Sequence, residues 1–238
     1  MPELQHISNF LMDIHDECAT LRDMKLSFWQ VEIPYHARVF YRFEDNDHRV
    51  FEMCRLPMGH VCSPELMQIL CSVLAGDPSY CNEEHSLHVP NRRVWIDNIR
   101  LSGMAAEMRQ AAVWLDKNAR ALGVSWNAEE SRTAVSEYDF LGGVWNHKTQ
   151  QIEVSSKHRQ TFAKGQNASI CFHRLEALVG RLVYFSGMLQ ILTGRYYWVM
   201  KWFRRKANAF NRKQITDSEL FRIPTAILYS MRTWIKEC

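Results

Sequence analysis

The spacing of hydrophobic residues divides the chain into a first part with alternating strand and helix patterns and a last part with helical patterns alone. Residues 3–18 have helical spacing, and a β-rich block over residues 21–53 follows, folded into a hairpin at the turn 45–48. Within this block Asp23 is expected at the start of a strand. The later elements predicted for the first part are a helix that begins near Pro64 and stops at Gly76, a strand over residues 94–101, a helix over 105–122, and strands near 124–126, 140–145 and 152–154.

The last third of the chain is predicted to be helical. Beyond Arg159 apolar residues recur at helical intervals, and Leu175 and Leu178 fall on one helix face. The fold class is therefore predicted to be α+β. A sheet with two packing helices is expected in residues 1–154, followed by a helical and basic module in residues 155–238.

Charge is distributed unevenly between these two parts. Residues 1–150 carry 14 Lys and Arg against 21 Asp and Glu, a net charge of −7, whereas residues 151–238 carry 15 against 5, a net charge of +10. Because 47% of the residues are hydrophobic, the chain can bury a core, and a disordered polypeptide is excluded. The asymmetry indicates a polyanion-binding element joined to a part that can hold cations.

Cysteine usage and hydropathy bear on the compartment. The seven cysteines are an odd number without paired CxxC spacing, which favours a reducing environment. The acidic N-terminal residues do not resemble a signal peptide, and the longest apolar stretch is shorter than the roughly 20 residues that a bilayer requires. We expect no membrane association and an intracellular location, in the nucleus or cytoplasm. Cys81, His85 and His88 lack a second ligand pair at zinc-finger spacing, so a loop is predicted there.

The C-terminal region contains a segment in which basic and aromatic residues alternate. Such a segment can neutralise phosphates and offer rings to bases. A helix that buries its aromatic residues and exposes its charges would have the same pattern, so both interpretations stay open for each residue, and the net charge of +10 favours nucleic acid. The basic residues are Arg195, Lys201, Arg204, Arg205 and Lys206, and the aromatic ones are Tyr196, Tyr197, Trp198, Trp202 and Phe203.

Two acidic residues stand in apolar strand patterns. Asp23 lies in residues 21–31, which read LRDMKLSFWQV, and Asp97 lies in residues 94–99, which read VWIDNI. A buried carboxylate is costly unless it is paired or binds a cation, and two adjacent carboxylates repel each other until a divalent ion neutralises them. Adjacent strands would place Asp23 and Asp97 at the separation of Mg²⁺ ligands. A single Asp in a strand more often marks a turn or an edge, so the metal interpretation depends on further motifs.

Five motifs in order resemble the palm of reverse transcriptases. Residues 23–31 (DMKLSFWQV) are similar to the first palm motif, and residues 56–64 (LPMGHVCSP) are similar to the second. Residues 95–98 (WIDN) stand where that family has YxDD. Residues 122–131 (LGVSWNAEES) are similar to the fourth motif, and residues 140–143 (FLGG) to the primer grip.

The resemblance implies an RNA-directed DNA polymerase. Residues 1–154 would form a palm, an antiparallel sheet backed by two helices, with the fingers largely missing, and residues 155–238 a thumb- or connection-like region. Residues 175–188 and 193–196 resemble the thumb-to-connection region of long-terminal-repeat retrotransposons and especially of tyrosine-recombinase retrotransposons of the DIRS and VIPER kind. The implied partners are an RNA template, a DNA primer and further segments of a retroelement polyprotein.

The resemblance also implies roles for single residues. Asp23 and Asp97, together with Asn98, would hold two Mg²⁺ ions, for which Mn²⁺ is an alternative. Phe28 would exclude a 2′-hydroxyl, although an ordinary core aromatic residue would look the same in the sequence. The remaining implied contacts are to the substrate, by Met58 and Gly59, and to the primer, by Phe140, Leu141 and Gly142.

Three departures from the family pattern count against full activity. Asn98 replaces the second Asp of the metal motif, and Glu130 stands where the fourth motif usually has Lys. Only 22 residues precede Asp23, too few for the fingers residues that grip a triphosphate. Two functions are therefore weighed: a polymerase domain, and a catalytically weak or inactive relic that binds nucleic acid or serves as an interaction module. An unrelated α+β domain would require five accidental matches.

Overall fold

The computed structural model describes residues 7–164 and 168–238, and the chain divides into two compact units. The first unit contains residues 15–136, and the second contains residues 7–14 and 137–238. Part of the helix predicted over residues 3–18 lies outside the described residues. Within them a 3₁₀ helix covers Ile7–His15, and residue 18 already belongs to a strand.

An antiparallel four-stranded sheet forms the centre of the first unit. The helices and strands of this unit are β1 (Cys18–Asp23), α1 (Ser27–Gln30), β2 (Arg42–Glu44), β3 (Val50–Glu52), α2 (Ser63–Leu74), β4 (Asn91–Trp95), β5 (Asn98–Gly103), α3 (Ala105–Ala121) and β6 (Arg132–Val135). The strand order is β4-β5-β1-β6. Along the β1–β5 ladder Cys18 pairs with Gly103 at one end and Asp23 pairs with Asn98 at the other. This register fixes which residues of the two strands are neighbours.

The core of the first unit lies where α2 and α3 pack on this sheet. Alternation along β5 directs Ile99 and Leu101 to one face, where both are fully buried. Cys71 of α2 and Leu115 of α3 belong to the same cluster, and burial of one leucine stabilises the fold by roughly 1.5–3 kcal/mol. Pro64 occupies the first turn of α2, as the sequence predicted. The α+β class is confirmed here, and the identification of this unit as a palm stays a prediction.

Three strand predictions in the first unit are wrong. The strand predicted over residues 94–101 is interrupted by a turn at Ile96 and Asp97, which separates β4 from β5. Asp23 ends β1 rather than starting a strand, because Leu26 adopts a left-handed backbone conformation with φ of 50° and the chain continues as α1. Residues 124–126, predicted as a strand, contribute only an isolated bridge between Met24 and Trp126. The hairpin of β2 and β3 forms around the predicted turn, after a 3₁₀ helix at Tyr35–Tyr41.

The second unit contains a small sheet and most of the remaining helices. Its elements are β7 (Glu137–Phe140), β8 (Gly143–Asn146), β9 (Gln151–Val154), α4 (Ser156–Lys164), β10 (Ser169–Ile170), α5 (Phe172–Met188), α6 (Tyr197–Asn211), β11 (Phe221–Arg222) and α7 (Thr225–Glu237). Strands β7, β8 and β9 pair with one another in an antiparallel sheet of their own. The division into compact units falls after Ser136, and the predicted domains of residues 1–154 and 155–238 stay predictions.

Helix α5 and helix α7 contribute many of the buried residues of the second unit. Leu175, Leu178 and Leu182 are buried on one face of α5, as their helical spacing predicted. Trp234 of α7 is fully buried, and its indole N–H donates to the Ser186 hydroxyl at 2.6 Å. Across the described ranges, no helix combines the length and the apolar composition that crossing a bilayer requires.

Candidate functional site

Asp23 and Asp97 lie at the same end of the four-stranded sheet. Asp23 is the last residue of β1 and pairs with Asn98, the first residue of β5. Asp97 immediately precedes Asn98, in the turn between β4 and β5, and the Met24 N–H donates to its carbonyl oxygen at 3.2 Å. Neighbouring antiparallel segments therefore carry the two carboxylates, with Asn98 beside them.

Each carboxylate accepts hydrogen bonds from uncharged donors. The Ser27 hydroxyl donates to Asp97 Oδ2 at 2.8 Å, and the Asn98 amide nitrogen donates to Asp97 Oδ1 at 3.0 Å. The Asn127 amide nitrogen donates to Asp23 Oδ2 at 3.3 Å. Within the described residues neither Asp23 nor Asp97 forms an ion pair with a basic side chain. The negative charge of the pair is therefore not neutralised by these residues.

The electrostatics of Asp23 follow from this arrangement. Burial raises the pKa of Asp23 to about 6; the Asn127 hydrogen bond lowers this pKa, and the charges of Asp97 and Glu130 raise it. Glu130, at the position where the family usually has Lys, thus adds repulsion. A divalent cation would relieve this repulsion, and carboxylate and amide oxygens are the ligands that Mg²⁺ prefers. The residues present therefore fit a divalent ion.

Few side chains at this site could act as metal ligands. In the part of the chain that the structure describes, His, Cys, Asp and Glu form no group of three or more that could hold a metal ion. An ion here would depend on Asp23, Asp97 and Asn98, and it would keep several water ligands, as Mg²⁺ commonly does. Asn98 directs its amide nitrogen at Asp97, and its role as a metal ligand stays a prediction.

The turn that carries Asp97 has an unusual backbone conformation. Ile96 adopts φ of 57°, which is unfavourable for a β-branched residue by about 1–2 kcal/mol. The side chain of Gln68 on α2 holds this turn, because it accepts from the Ile96 N–H at 2.7 Å and donates to the Val94 carbonyl at 3.1 Å. Packing of α2 on the sheet therefore determines the position of Asp97.

A second segment is held against the residues that follow Asp23. Gln30 donates to the Ser125 carbonyl at 2.9 Å and accepts from the Ser125 N–H at 2.7 Å. The Asn127 N–H donates to the Asp23 carbonyl at 2.8 Å. Together these bonds place the Asn127 side chain beside the Asp23 carboxylate.

The predicted substrate residues have different surroundings. Phe28 on α1 is half-buried against the core of the first unit. Met58 is 68% exposed, and Gly59 adopts φ of 88° with open space for at least 4 Å around the point where a Cβ would stand. The backbone conformation at Gly59, rather than crowding, favours glycine. Substrate contacts by these three residues stay predictions.

The predicted primer-grip residues form the turn between β7 and β8. Phe140 is buried at the end of β7, and Leu141 and Gly142 adopt φ of 50° and 81°. A Cβ on Gly142 would lie 2.9 Å from Nε2 of His158 and 3.3 Å from the Phe185 ring. Only glycine fits this position without a shift of its neighbours.

The carbonyl groups of this turn are all hydrogen-bonded. Burial raises the pKa of the Tyr184 phenol to about 12, so its hydroxyl stays protonated and donates to Leu141. The three bonds are Trp145 indole to Phe140 carbonyl at 3.2 Å, Tyr184 hydroxyl to Leu141 carbonyl at 2.8 Å, and Ser155 N–H to Gly142 carbonyl at 3.0 Å. The turn is therefore rigidly supported within the second unit.

The aromatic residues of the basic segment are divided between the interior and the surface. Tyr196 is buried and stacks on Trp234, with ring centroids 4.6 Å apart. Trp202 contacts the Phe221 ring, and Phe203 stacks on another ring of this unit. In contrast, Tyr197 and Trp198 are exposed. The core interpretation therefore applies to Tyr196, Trp202 and Phe203, whereas nucleic-acid contact by Tyr197 and Trp198 stays a prediction.

The basic residues of the segment are divided in a similar way. Arg195 pairs with Glu237 at 3.3 Å, and the Lys206 ammonium lies 4.5 Å from the centroid of the Phe221 ring. Arg204 and Arg205 are exposed, and among the described residues neither has an ion-pair partner. The positive charge of α6 that has neither an ion-pair partner nor an aromatic ring beside it, among the described residues, therefore lies at these two arginines.

The sequence did not reveal several residues that support these sites. Ser27 and Asn127 hold the carboxylates, Gln68 holds the Asp97 turn, and Tyr184 holds the Leu141 carbonyl. Ser27 and Asn127 do lie inside motif segments, but their spacing carries no signal for a partner far away in the chain. Their roles depend on which strands become neighbours.

Comparison with known proteins identifies the fold. No protein-family model and no curated protein matches the chain. A foamy viral protease-reverse transcriptase in complex with double-stranded DNA matches with a TM-score of 0.67 and 14% identity, over 98% of this chain and 37% of that chain. The same kind of protein in complex with an RNA/DNA hybrid matches with a TM-score of 0.66 and 13% identity, over 95% of this chain and 28% of that one. This protein spans less than half of each of these two chains and has a reverse-transcriptase-like fold.

Proposed function

We propose that this chain is the polymerase part of an RNA-directed DNA polymerase from a retroelement of the long-terminal-repeat or tyrosine-recombinase kind. The reaction would be two-metal nucleotidyl transfer to a primer 3′-hydroxyl. The observation that carries the proposal is the pairing of Asp23 with Asn98, which brings Asp97 to the same end of the sheet in a reverse-transcriptase-like fold. The proposed partners are an RNA template and a DNA primer, since the similar structures are complexes with DNA and with an RNA/DNA hybrid.

The chain's own residues prepare the site for metal ions. Asp23 and Asp97 would hold them, with Asn98 as a weaker ligand. When bound, Mg²⁺ or Mn²⁺ would lower the pKa of the primer hydroxyl and stabilise the charge on the leaving pyrophosphate. Ser27 and Asn127 orient the carboxylates without adding positive charge, so the full negative charge of the pair is available to the ions.

The second unit would bind the nucleic acid. The turn of Phe140, Leu141 and Gly142 would hold the primer end, and its hydrogen-bonded carbonyls keep its conformation fixed. Arg204 and Arg205 would contribute charge for phosphates. In the first unit, Phe28, Met58 and Gly59 would contact the incoming nucleotide.

A second candidate function is nucleic-acid binding without catalysis. Asn98 removes one charge from the metal motif, and Glu130 replaces the usual Lys with a group that raises the pKa of Asp23. Loss of charged contacts in a transition state commonly costs a factor of about 10²–10³ each in rate. These departures favour a weak or inactive descendant that keeps the fold and the basic surface.

A labelled primer-extension assay on an RNA template tests the polymerase proposal. We expect little or no extension with Mg²⁺, more with Mn²⁺ or in the Asn98→Asp variant, and none in Asp97→Ala. Extension that persists in Asp97→Ala would exclude this site as the catalytic centre. If Asn98→Asp shows no primer extension with either metal and still binds the template, the nucleic-acid-binding function is favoured.

A further inference from the structure

Two exposed aromatic residues begin helix α6 and form one contiguous surface. Tyr197 is 54% exposed and Trp198 is 63% exposed, and their ring centroids lie 5.3 Å apart at an interplanar angle of 69°. The other aromatic residues of the segment contact rings of the second unit: Tyr196 is buried, and Trp202 and Phe203 are partly buried. Large exposed aromatic residues contribute little to a core, so this pair is available for a ligand.

Positive charge lies directly beside the two rings. The Lys201 ammonium is 5.5 Å from the Tyr197 centroid and 5.0 Å from the Trp198 centroid. Arg204 and Arg205 follow at three- and four-residue intervals, on the same side of the helix, and both are exposed. Helix rise places Arg205 about 10 Å along the axis from Trp198. A single nucleic-acid strand lying on this face can therefore contact the aromatic rings and the basic side chains together.

We propose that this surface, defined by Tyr197, Trp198, Lys201, Arg204 and Arg205, binds single-stranded nucleic acid through a stacked, unpaired base and the adjoining phosphates. An unpaired base offers a free π-face to an aromatic side chain, whereas the bases of a duplex are stacked on each other. The rings would take the base, and the basic side chains would take the phosphates. This binding requires neither metal ions nor catalysis, so it does not depend on the proposed polymerase reaction. It deepens the second candidate function, nucleic-acid binding, by naming an unpaired single strand as the ligand and base stacking as the mode of binding.

Fluorescence anisotropy with the full chain tests the proposal. The probes are a labelled thymidine oligomer of about 12 nucleotides, an abasic oligomer of the same length and charge, and a duplex of that length. We expect the wild-type protein to prefer the thymidine oligomer to the abasic one. Trp198→Ala should weaken binding of the thymidine oligomer by about 5–100-fold and leave the abasic oligomer unaffected. Trp198→Phe should recover part of the loss.

Matched variants separate stacking from charge. Tyr229 is also a surface tyrosine of the second unit, 75% exposed, so Tyr229→Ala should bind all three probes like the wild type. Replacement of Arg204 and Arg205 by Ala should flatten the log–log salt dependence by about 1.4 units, whereas Trp198→Ala should not change it.

Equal wild-type affinity for the thymidine and abasic oligomers would overturn the proposal, and so would a preference for the duplex that survives in Trp198→Ala. Absence of binding to all three probes, by protein with an unchanged melting temperature, would assign the surface to a protein partner instead. Absence of primer extension by Asn98→Asp with both Mg²⁺ and Mn²⁺, with these binding results intact, would reject the polymerase function alone.

Discussion

Two hairpin turns carry predicted site residues, and they differ in how the protein supports them. Each places a non-glycine residue at positive φ: Ile96 before Asp97 in the first unit, and Leu141 before Gly142 in the second. Gln68 holds the first turn through the backbone, while the carboxylate of Asp97 accepts from the uncharged donors Ser27 and Asn98. The second turn has its carbonyls bonded and no free space at Gly142.

The difference shows what limits change at each turn. Around Asp97 the unfavourable contribution is electrostatic, because two uncompensated carboxylates lie close to each other and Asp23 is partly buried. Around Gly142 the limit is steric, because side chains fill the volume that a Cβ would need. Charge substitutions should therefore act at the first turn and volume substitutions at the second.

The largest effect is expected for Gly142→Ala. Left-handed φ and the contact with His158 should together destabilise the fold by about 2–4 kcal/mol. Gly59→Ala is the matched control, since Gly59 also has positive φ but open space around it, and we expect a loss of only about 1 kcal/mol. Urea unfolding measures both values. Equal losses in the two variants would show that crowding does not distinguish the turns.

A smaller effect of opposite sign is expected for Asp23→Asn. The folded-state pKa of Asp23 is raised to about 6 from 3.8, so the native state binds more protons and stability falls as the pH rises through this window. Removal of the charge should stabilise the protein by about 1–2 kcal/mol above pH 6, after allowance for solvent screening, and leave it unchanged near pH 4. Thermal unfolding at both pH values measures the difference.

Magnesium provides the control for this prediction. A divalent ion that binds Asp23 and Asp97 should stabilise the wild-type protein above pH 6 and have a smaller effect on Asp23→Asn. If Asp23→Asn is less stable than the wild type at neutral pH, the charge of Asp23 is compensated and the prediction is wrong.

The smallest effect is expected for Tyr184→Phe. This variant keeps the ring contact with Phe185 and loses only the hydroxyl that donates to the Leu141 carbonyl. We expect a loss of about 1 kcal/mol, and faster hydrogen exchange at the amides of Gly142 and Gly143. Tyr229→Phe, which changes an exposed hydroxyl, should alter neither measurement. Unchanged exchange in Tyr184→Phe would mean that the other bonds suffice to hold the turn.

The sequence by itself determined the features that depend on local spacing. The helices α2, α3 and α5 follow from apolar residues at helical intervals. Pro64 marks the start of α2, and Gly76 and Gly123 mark the ends of α2 and α3. The reverse-transcriptase-like fold was predicted from the resemblance of five motifs to a known family. Local spacing carries this information because helix periodicity and turn residues act over only a few positions.

Only the tertiary structure decided which distant residues meet. The pairing of Asp23 with Asn98 and the roles of the donors Ser27 and Asn127 depend on contacts between distant segments. Among the described residues, the strands of residues 137–154 pair only with one another, and tertiary packing assigns them to the second unit. Packing also determined which aromatic residues of the basic segment are buried, since Tyr196 stacks on Trp234 and is buried, while Trp198, two positions later, stays exposed. A residue's spacing in the chain does not specify the surface that packs against it.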